Sequence, residues 1–370
     1  MSPNQCEVAV IGGGLAGCSA AISLARAGAD VALFEAAALP RHRVCGEFLS
    51  PESRATLERL GVTAQIAEAG ARDVSLARFW CGAQSADFPL GEARGLSISR
   101  HALDAILWDA AQRGGARAHL EARVRGLKND GGAFVFEANG HLWRAKKVIW
   151  TVGRAGAPKS APAENRPRFF GLKAHFAGAR ASENVVEMHL FRGGYCGLVR
   201  VEGEAANVAL LVDYPTLQKR APDAFLAHLL SKNPTLAARF EGARRLIPWE
   251  TTANVSFERF RPAGGNDMAR GVLCAGDAAG YIHPLTGDGM AMALRAGELA
   301  AAVARAHKLS PREAARLYQA AWEREFAPRL RLAARLHPFA LRPELARPLL
   351  PLVRRFPALG RAMVRGTRGT

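Results

Sequence analysis

Residues 7–35 read EVAVIGGGLAGCSAAISLARAGADVALFE, and this stretch decides the fold. Glu7 to Ile11 is a short β-branched run, Gly12-Gly13-Gly14-Leu15-Ala16-Gly17 follows at once, and an Ala/Leu/Ile pattern at helical spacing continues to Ala27. Strand, G-x-G-x-x-G and helix in one unit make a dinucleotide-binding fingerprint. Gly12 allows the tight turn, Gly14 lets the backbone approach a pyrophosphate, and Gly17 lets the helix pack closely on the sheet, with Ala16 beside it and the helix N-terminus facing the phosphates. Gly28 stops the helix, and a second strand, Val31 to Glu35, ends in a carboxylate 18 residues beyond Gly17, where the fingerprint needs an acceptor for the adenosine ribose hydroxyls. The unit alone does not choose between FAD and NAD.

The rest of the composition agrees with a globular enzyme. Hydrophobic residues are 49% and charged residues 22% of 370, with 37 Gly and 20 Pro, which excludes a disordered, collagenous or disulfide-stapled chain. The net charge of +17 suits nucleic acid, an anionic membrane or acidic ligands, but only eight of the fifty cations are Lys, a skew that also fits codon bias. With no zinc spacing, RNA-binding signature or aromatic-basic interleaving, a nucleic-acid partner is not expected. Cys6, Cys18, Cys45, Cys81, Cys196 and Cys274 are scattered without a C-x-x-C pair or metal-ligand rhythm, so no metal is expected and a reduced, cytoplasmic setting follows. No secretory signal or eighteen-residue apolar run is visible.

A second fingerprint lies near the other end. Gly271 to Ala275 (GVLCA) is a buried-strand pattern, followed by Gly276-Asp277-Ala278-Ala279-Gly280 and then by Pro284-Leu285-Thr286-Gly287-Asp288-Gly289-Met290 opening an Ala-rich helix. Here the chain resembles the FAD-dependent aromatic hydroxylase and geranylgeranyl reductase superfamily. The resemblance implies FAD as cofactor, with Asp277 after Gly276 on the ribityl and pyrophosphate region, and Pro284, Gly287, Gly289 and Met290 along the flavin ring. A helix opening at that turn points its positive end at the flavin N1/O2 edge. Arg41 to Pro51 (RHRVCGEFLSP) looks like the reductase-branch segment that carries a Cys-Gly beside the ring, which would put Arg43, Cys45 and Gly46 at the cofactor. Cys45 is then either redox-adjacent or a small buried hydrophobe. Ser50 as N-cap and Pro51 as first helical residue are expected to start the next helix. Ser99 begins a helix reaching Arg113, and Arg100 matches a family Arg that faces the cofactor phosphates.

From Ala116 to Thr151 apolar and polar residues alternate around turns at Asn129-Asp130-Gly131-Gly132 and Asn139-Gly140, which reads as a small antiparallel meander whose last strand, Lys147 to Gly153, rejoins the parallel sheet near the dinucleotide. Phe169 to Phe176, Val185 to Leu190, Tyr195 to Val201 and Asn207 to Val212 are strand-like, and Arg72 to Trp80 with Gln84 to Phe88 looks like another pair. The expected architecture is α/β: a Rossmann-like FAD-binding domain with a meander insertion (1–62, 99–156 and 268–310), a β-sheet substrate domain (63–98 and 157–267) and a basic helical C-terminal segment (311–370). Lys173, His175 and Tyr195 are polar candidates for the substrate side, each with an ordinary structural alternative. The span 326–370 carries ten Arg against one Glu, and its prolines are expected to break it into short helices. These either lie on an anionic membrane surface, lid a lipophilic pocket, or form a plain solvated cap.

The resemblance implies an FAD-dependent oxidoreductase acting on a lipophilic or aromatic small molecule, leaning to hydride transfer at flavin N5 in C=C reduction or dehydrogenation. The alternatives are a monooxygenase working through flavin C4a, and a flavin-binding sensor or membrane-associated module. The hydroxylase branch carries an Asp-Gly pair linked to NAD(P)H handling where this chain has Gly153-Arg154-Ala155-Gly156, so the resemblance does not carry direct NAD(P)H use over to this chain, and NAD(P)H and a protein partner both stay open as electron donor. The Y-x-W-x-F-P motif of archaeal lipid reductases is here Tyr195-Cys196-Gly197-Leu198-Val199-Arg200, and the W-x-W-x-I-P motif of flavin halogenases is absent.

Overall fold

The computed structural model describes residues 4–153, 168–255, 271–280, 282–306 and 309–368. Strand Gln5–Ile11 lies at the centre of the first sheet, paired in parallel with Val31–Phe34 on one side and with the second half of His141–Trp150 on the other. Arg117–His119 extends the parallel array beyond Val31–Phe34, and Leu273–Cys274 pairs in parallel with the end of His141–Trp150. Antiparallel strands Ala133–Ala138 and Arg125–Asp130 complete this seven-stranded sheet. The expected meander is therefore smaller than 116–151: its first piece, Arg117–His119, leaves helix Arg100–Arg113 by way of Gly115 and crosses over to the parallel edge instead. Helix Leu15–Arg26 buries nearly its whole length between the sheet, helix Arg100–Arg113 and helix Gly289–Ala304, because Ala, Gly and Ser on its faces let neighbours approach.

The second sheet has eight strands, in the order Arg244–Arg245, Phe169–Ala177, Ala205–Asp213, Gly194–Arg200, Val185–Phe191, Leu76–Cys81 and Gln84–Pro89, with Glu250–Val255 also on Phe169–Ala177. Arg72 to Trp80 is not one strand. Arg72–Val74 joins a small sheet with Phe48–Leu49 and Gly95–Ser97, and the chain breaks at Ser75, whose N–H goes to the Asn184 carbonyl. Side chains alternate across a strand, and the register aligns Lys173 with Ala209 and Gly197, and His175 with Asn207 and Val199. Leu172, Ala174, Phe176, Cys196, Leu198, Val208 and Leu210 take the opposite face, where they form an apolar core with Phe225, Leu226 and Leu229 of helix Pro222–Lys232. Lys173, His175, Tyr195 and Asn207 therefore share the other face.

The C-terminal region departs from expectation. Helix Pro311–Leu341, started by a Ser310–Glu313 capping box, runs for 31 residues straight through Pro328 and Pro338. An internal proline costs about 3 kcal/mol, but this helix buries Tyr318, Trp322, Phe326, Arg329, Ala333 and Ala340 along one side, and that packing holds it. Only then do prolines divide the chain, into Pro343–Ala346, Leu349–Arg355 and Pro357–Thr367. Ser50 also differs: the helix begins at Ser53, and Ser50 contributes its carbonyl to the Ser53 N–H and hydroxyl rather than its hydroxyl as a cap. Among the described residues no helix is long and apolar enough to cross a membrane, and all six cysteines are free.

Candidate active site

The dinucleotide turn is built as its glycines require. Gly12 has φ +112°, and a Cβ on Gly17 would stand 1.8 Å from the Gly12 carbonyl oxygen, so neither position accepts a side chain. Gly14 differs, because a Cβ there would meet only Arg100 Nη2, at 3.9 Å. Its open side is the approach to the turn. Glu35, buried, accepts from the Gly13 N–H at 2.9 Å and from the Ala37 N–H at 3.0 Å. Helix Leu15–Arg26 starts without a side-chain cap and without an acid in its first turn, which leaves its N-terminal N–H groups for an anion. Ala16 packs under Gly276 and against Gly297, locking this helix to the second fingerprint.

A ladder of charge runs from Glu35 toward Cys45. Arg43 Nη2 stands 3.7 Å from Glu35 and Arg43 Nε donates to Asp104 at 3.1 Å, while Arg100 grips the same Asp104 with two bonds of 2.7 and 2.8 Å. Asp104 is 1% exposed, one helical turn after Arg100. Sequence reasoning missed it, although the i,i+4 spacing was a visible signal. Arg43 Nη2 is buried with no hydrogen-bond partner among the described residues. An orphaned guanidinium donor beside Glu35, an open Gly14 and an uncapped helix together fit a nucleotide diphosphate.

The segment after Arg43 crosses the face of the second sheet. Cys45 Sγ lies 3.4 Å from the Met290 sulfur, and the Asn207 amide donates to the Cys45 carbonyl at 3.0 Å. Burial pushes the Cys45 thiol up, so it stays protonated. Glu47 is fully buried at φ +53° and gathers three donors: the Arg100 N–H at 2.9 Å, His175 Nε2 at 2.6 Å and Lys173 Nζ at 3.0 Å. Burial alone would raise this carboxyl, but His175 and Lys173 outweigh it and hold it below the usual carboxylate range. His42 Nδ1 sits 3.3 Å from Lys173 Nζ, with its ring stacked on His101 and edge-on to His175. Burial and the Lys173 charge push His42 down to about 4, so it is neutral near pH 7, accepts from Lys173 at Nδ1 and carries its proton on Nε2. His42, Glu47 and His175 offer atoms within 4.8 Å of one another, the spacing of a metal site, but the Lys173 ammonium already supplies the positive charge there.

The second fingerprint closes the site. Gly276–Ala278, with Asp277 at its centre, and Pro284–Thr286 are short 3₁₀ turns; Gly287 follows at φ +70°, and a Cβ on it would lie 2.7 Å from the Phe48 ring. Helix Gly289–Ala304 then begins, again without a side-chain cap. The structure thus brings Cys45, Gly46, Lys173, His175 and Met290 to one place. Tyr195 stays on the same sheet face but within an apolar cluster with Phe48, Phe169, Met188 and Leu211. The expected strand to Gly153 stops at Trp150; Thr151 lies against Gly12 and Gly153 follows at φ +73°, whereas Arg154, Ala155 and Gly156 lie outside the described residues. Glu47, His42, His101 and Asn207 are the members that sequence reasoning did not name.

Residues 5–140 match the family model of an FAD binding domain. The chain is an FAD-dependent oxidoreductase. This flavoprotein is 28% identical to menaquinone reductase of Mycolicibacterium smegmatis over 80% of its own length and 76% of that protein. It is likewise 28% identical to digeranylgeranylglycerophospholipid reductase 1 of Methanothermobacter thermautotrophicus, over 82% of this chain and 78% of the relative. Among solved structures, the flavin-dependent brominase Bmp2 superposes with a TM-score of 0.83 at 19% identity, over 98% of this chain and 93% of that one, a likeness of fold. The flavoprotein is an enzyme of the oxidoreductase class with FAD as cofactor and a small-molecule substrate.

Proposed function

We propose that this flavoprotein reduces a carbon–carbon double bond in a lipophilic, isoprenoid-like substrate. The observation that carries the reading is the buried Glu47–Lys173–His42 array, set on the sheet face beside Cys45, Met290 and the Gly287–Gly289 turn. Bound FAD, once reduced, supplies hydride to one carbon, and the other carbon needs a proton. Glu47 holds Lys173 as an ammonium in a place with no solvent exposure, and Lys173 donates to His42 Nδ1. As Nδ1 takes that proton, His42 Nε2 releases its own to the substrate carbon; solvent then re-protonates the half-buried His42 at Nε2, and the Nδ1 proton returns to Lys173. His175 fixes the Glu47 carboxylate, Tyr195 belongs to the apolar wall, and Cys45 faces the ring region as a neutral thiol.

The cofactor would be held by Gly12, Gly14, Ala16, Gly17 and Arg100 at the pyrophosphate, Glu35 and Arg43 at the ribose, Asp277 with Gly276 toward the ribityl chain and pyrophosphate, and Cys45, Gly46, Pro284, Gly287, Gly289 and Met290 at the ring, with Gly153 near the turn. A lipid substrate agrees with the C-terminal helices. Leu349, Leu352, Phe356 and Leu359 are exposed and interleaved with Arg347, Arg354, Arg355 and Arg361, a surface suited to peripheral contact with an anionic bilayer. Both relatives named above are reductases, one by name of a quinone and one of a geranylgeranyl lipid, and this supports the assignment. The test is anaerobic incubation of the chemically reduced holoenzyme with a polyprenyl lipid, followed by mass spectrometry. A product heavier by two hydrogens is expected. Unchanged lipid, with an oxygenated aromatic product formed only in air, would transfer the assignment to a monooxygenase.

A further inference from the structure

The turn Gly287-Asp288-Gly289 has one side chain, and that side chain does not serve its own helix. Asp288 occupies the N-cap position of Gly289–Ala304 but makes no cap bond. Its fully buried carboxylate instead receives Nη1 of Arg368, just past the end of helix Pro357–Thr367. Arg368 Nη1 also stands 3.8 Å from Glu52, Glu52 meets Arg329 Nη1 at 3.4 Å, and Arg329 reaches Glu325 at 3.6 Å. Arg329 lies within the long helix and Arg368 at the far end of the C-terminal region, and their side chains are only 6% and 13% exposed.

The helix that delivers Arg368 is anchored elsewhere. Leu350 and Val353, with Met363 and Val364, pack on Cys81, Ala86 and Phe88 of the second sheet. A Cβ on Gly366 would press on Leu332 of the long helix at 2.9 Å. The C-terminal helices therefore run as a strap from the substrate-side sheet to the flavin-side turn. A turn with glycine on both sides has little conformational restraint of its own, so the Asp288 side chain is its tether.

We propose that Arg368 is a positioning residue for the cofactor: by clasping Asp288 it holds the Gly287–Gly289 turn in the shape that receives the flavin, and it makes cofactor retention depend on docking of the C-terminal strap. This holds whichever substrate the enzyme takes. Burial pushes the Asp288 carboxyl up to about 7, with the push of Glu52 and against the pull of Arg368, a hydrogen bond from Thr286 and Arg329, so loss of Arg368 removes its largest favourable partner and leaves an unfavourable buried acid at the turn.

The test uses the full-length holoenzyme and three variants, Arg368→Ala, Asp288→Asn and the double variant, with FAD release followed by flavin fluorescence and the strap followed by limited trypsinolysis. Arg368→Ala is expected to weaken FAD retention at least tenfold and to open cleavage at Arg361 and Arg365. The double variant is expected to recover to within a few-fold of Asp288→Asn, because it strands no charge. Should Arg368→Ala not fold, the comparison of Asp288→Asn with wild type still decides, since the amide loses the ion pair and must loosen FAD. Wild-type FAD retention in Arg368→Ala or in Asp288→Asn, or losses that simply multiply in the double variant, would overturn the proposal.

Discussion

Glu47→Gln is the substitution with the most to say about the site. The amide keeps the shape of the carboxylate but leaves the Lys173 ammonium, which has no exposure to solvent, without its counter-charge, and it weakens the 2.6 Å bond to His175. Removing one partner of a buried ion pair costs about 3–5 kcal/mol; the amide can still accept one bond, so the lower end, about 3 kcal/mol, applies. With unfolding entropy of about 2.1 cal/mol/K per residue over 370 residues, 3 kcal/mol lowers the melting temperature by roughly 4 °C. The pH dependence gives the argument its sign. Because the folded Glu47 carboxyl lies below its ordinary 4.5, its contribution is fully present above 4.5 and is lost as pH falls through the folded value. Calorimetry of wild type and variant, both without cofactor, should show the 4 °C gap at pH 7, narrowing as pH drops below 4.5. A gap that is absent at pH 7, or that keeps its size through acid, would refute the ion-pair account of the cluster.

Further expectations follow from the same geometry. Gly14→Val has open space for its side chain, so the cofactor-free protein should melt near wild type while FAD retention measured by filtration is abolished; full retention would show that the pyrophosphate lies elsewhere. Asp104→Asn leaves both Arg43 and Arg100 without their shared carboxylate and should release FAD at least tenfold faster, a rate that stopped-flow fluorescence reads directly. His42→Phe should keep the flavin and its reduction yet slow anaerobic product formation by about 10²–10⁴-fold, the usual contribution of a positioned proton donor. Arg354→Ala with Arg355→Ala should weaken sedimentation with anionic vesicles roughly thirtyfold at low salt, at about 1 kcal/mol per arginine, and leave neutral vesicles unaffected.

The legible parts of this molecule are those whose physics is local. Strand, glycine turn, helix and Glu35 follow one another within one βαβ unit, so spacing alone placed them, and the Ser99 cap of helix Arg100–Arg113 was readable for the same reason. Glu47 was invisible as a hub because two of its three partners, Lys173 and His175, come from more than a hundred positions away, on a strand whose register only the folded sheet sets. The signal available was an acid directly after Cys45-Gly46, with a positive φ that sequence does not display. The long helix through Pro328 and Pro338 shows the opposite failure, a strong local rule overridden by burial of Trp322, Phe326 and Arg329. Arg368 combines both difficulties: read locally it is one of ten basic residues on a tail, and only the docked strap turns it into the partner of Asp288.

In the proposed reaction a reduced flavin in this protein gives its electrons to a lipophilic double bond, with the proton drawn from the Lys173–His42 pair. Stopped-flow mixing of the fully reduced holoenzyme with a polyprenyl lipid, in the strict absence of oxygen, tests it most directly through the visible flavin absorbance. The oxidised band should return in step with saturated lipid, and return far more slowly in His42→Phe. A band that stays bleached until oxygen is admitted, then returns with a hydroxylated product, would contradict it.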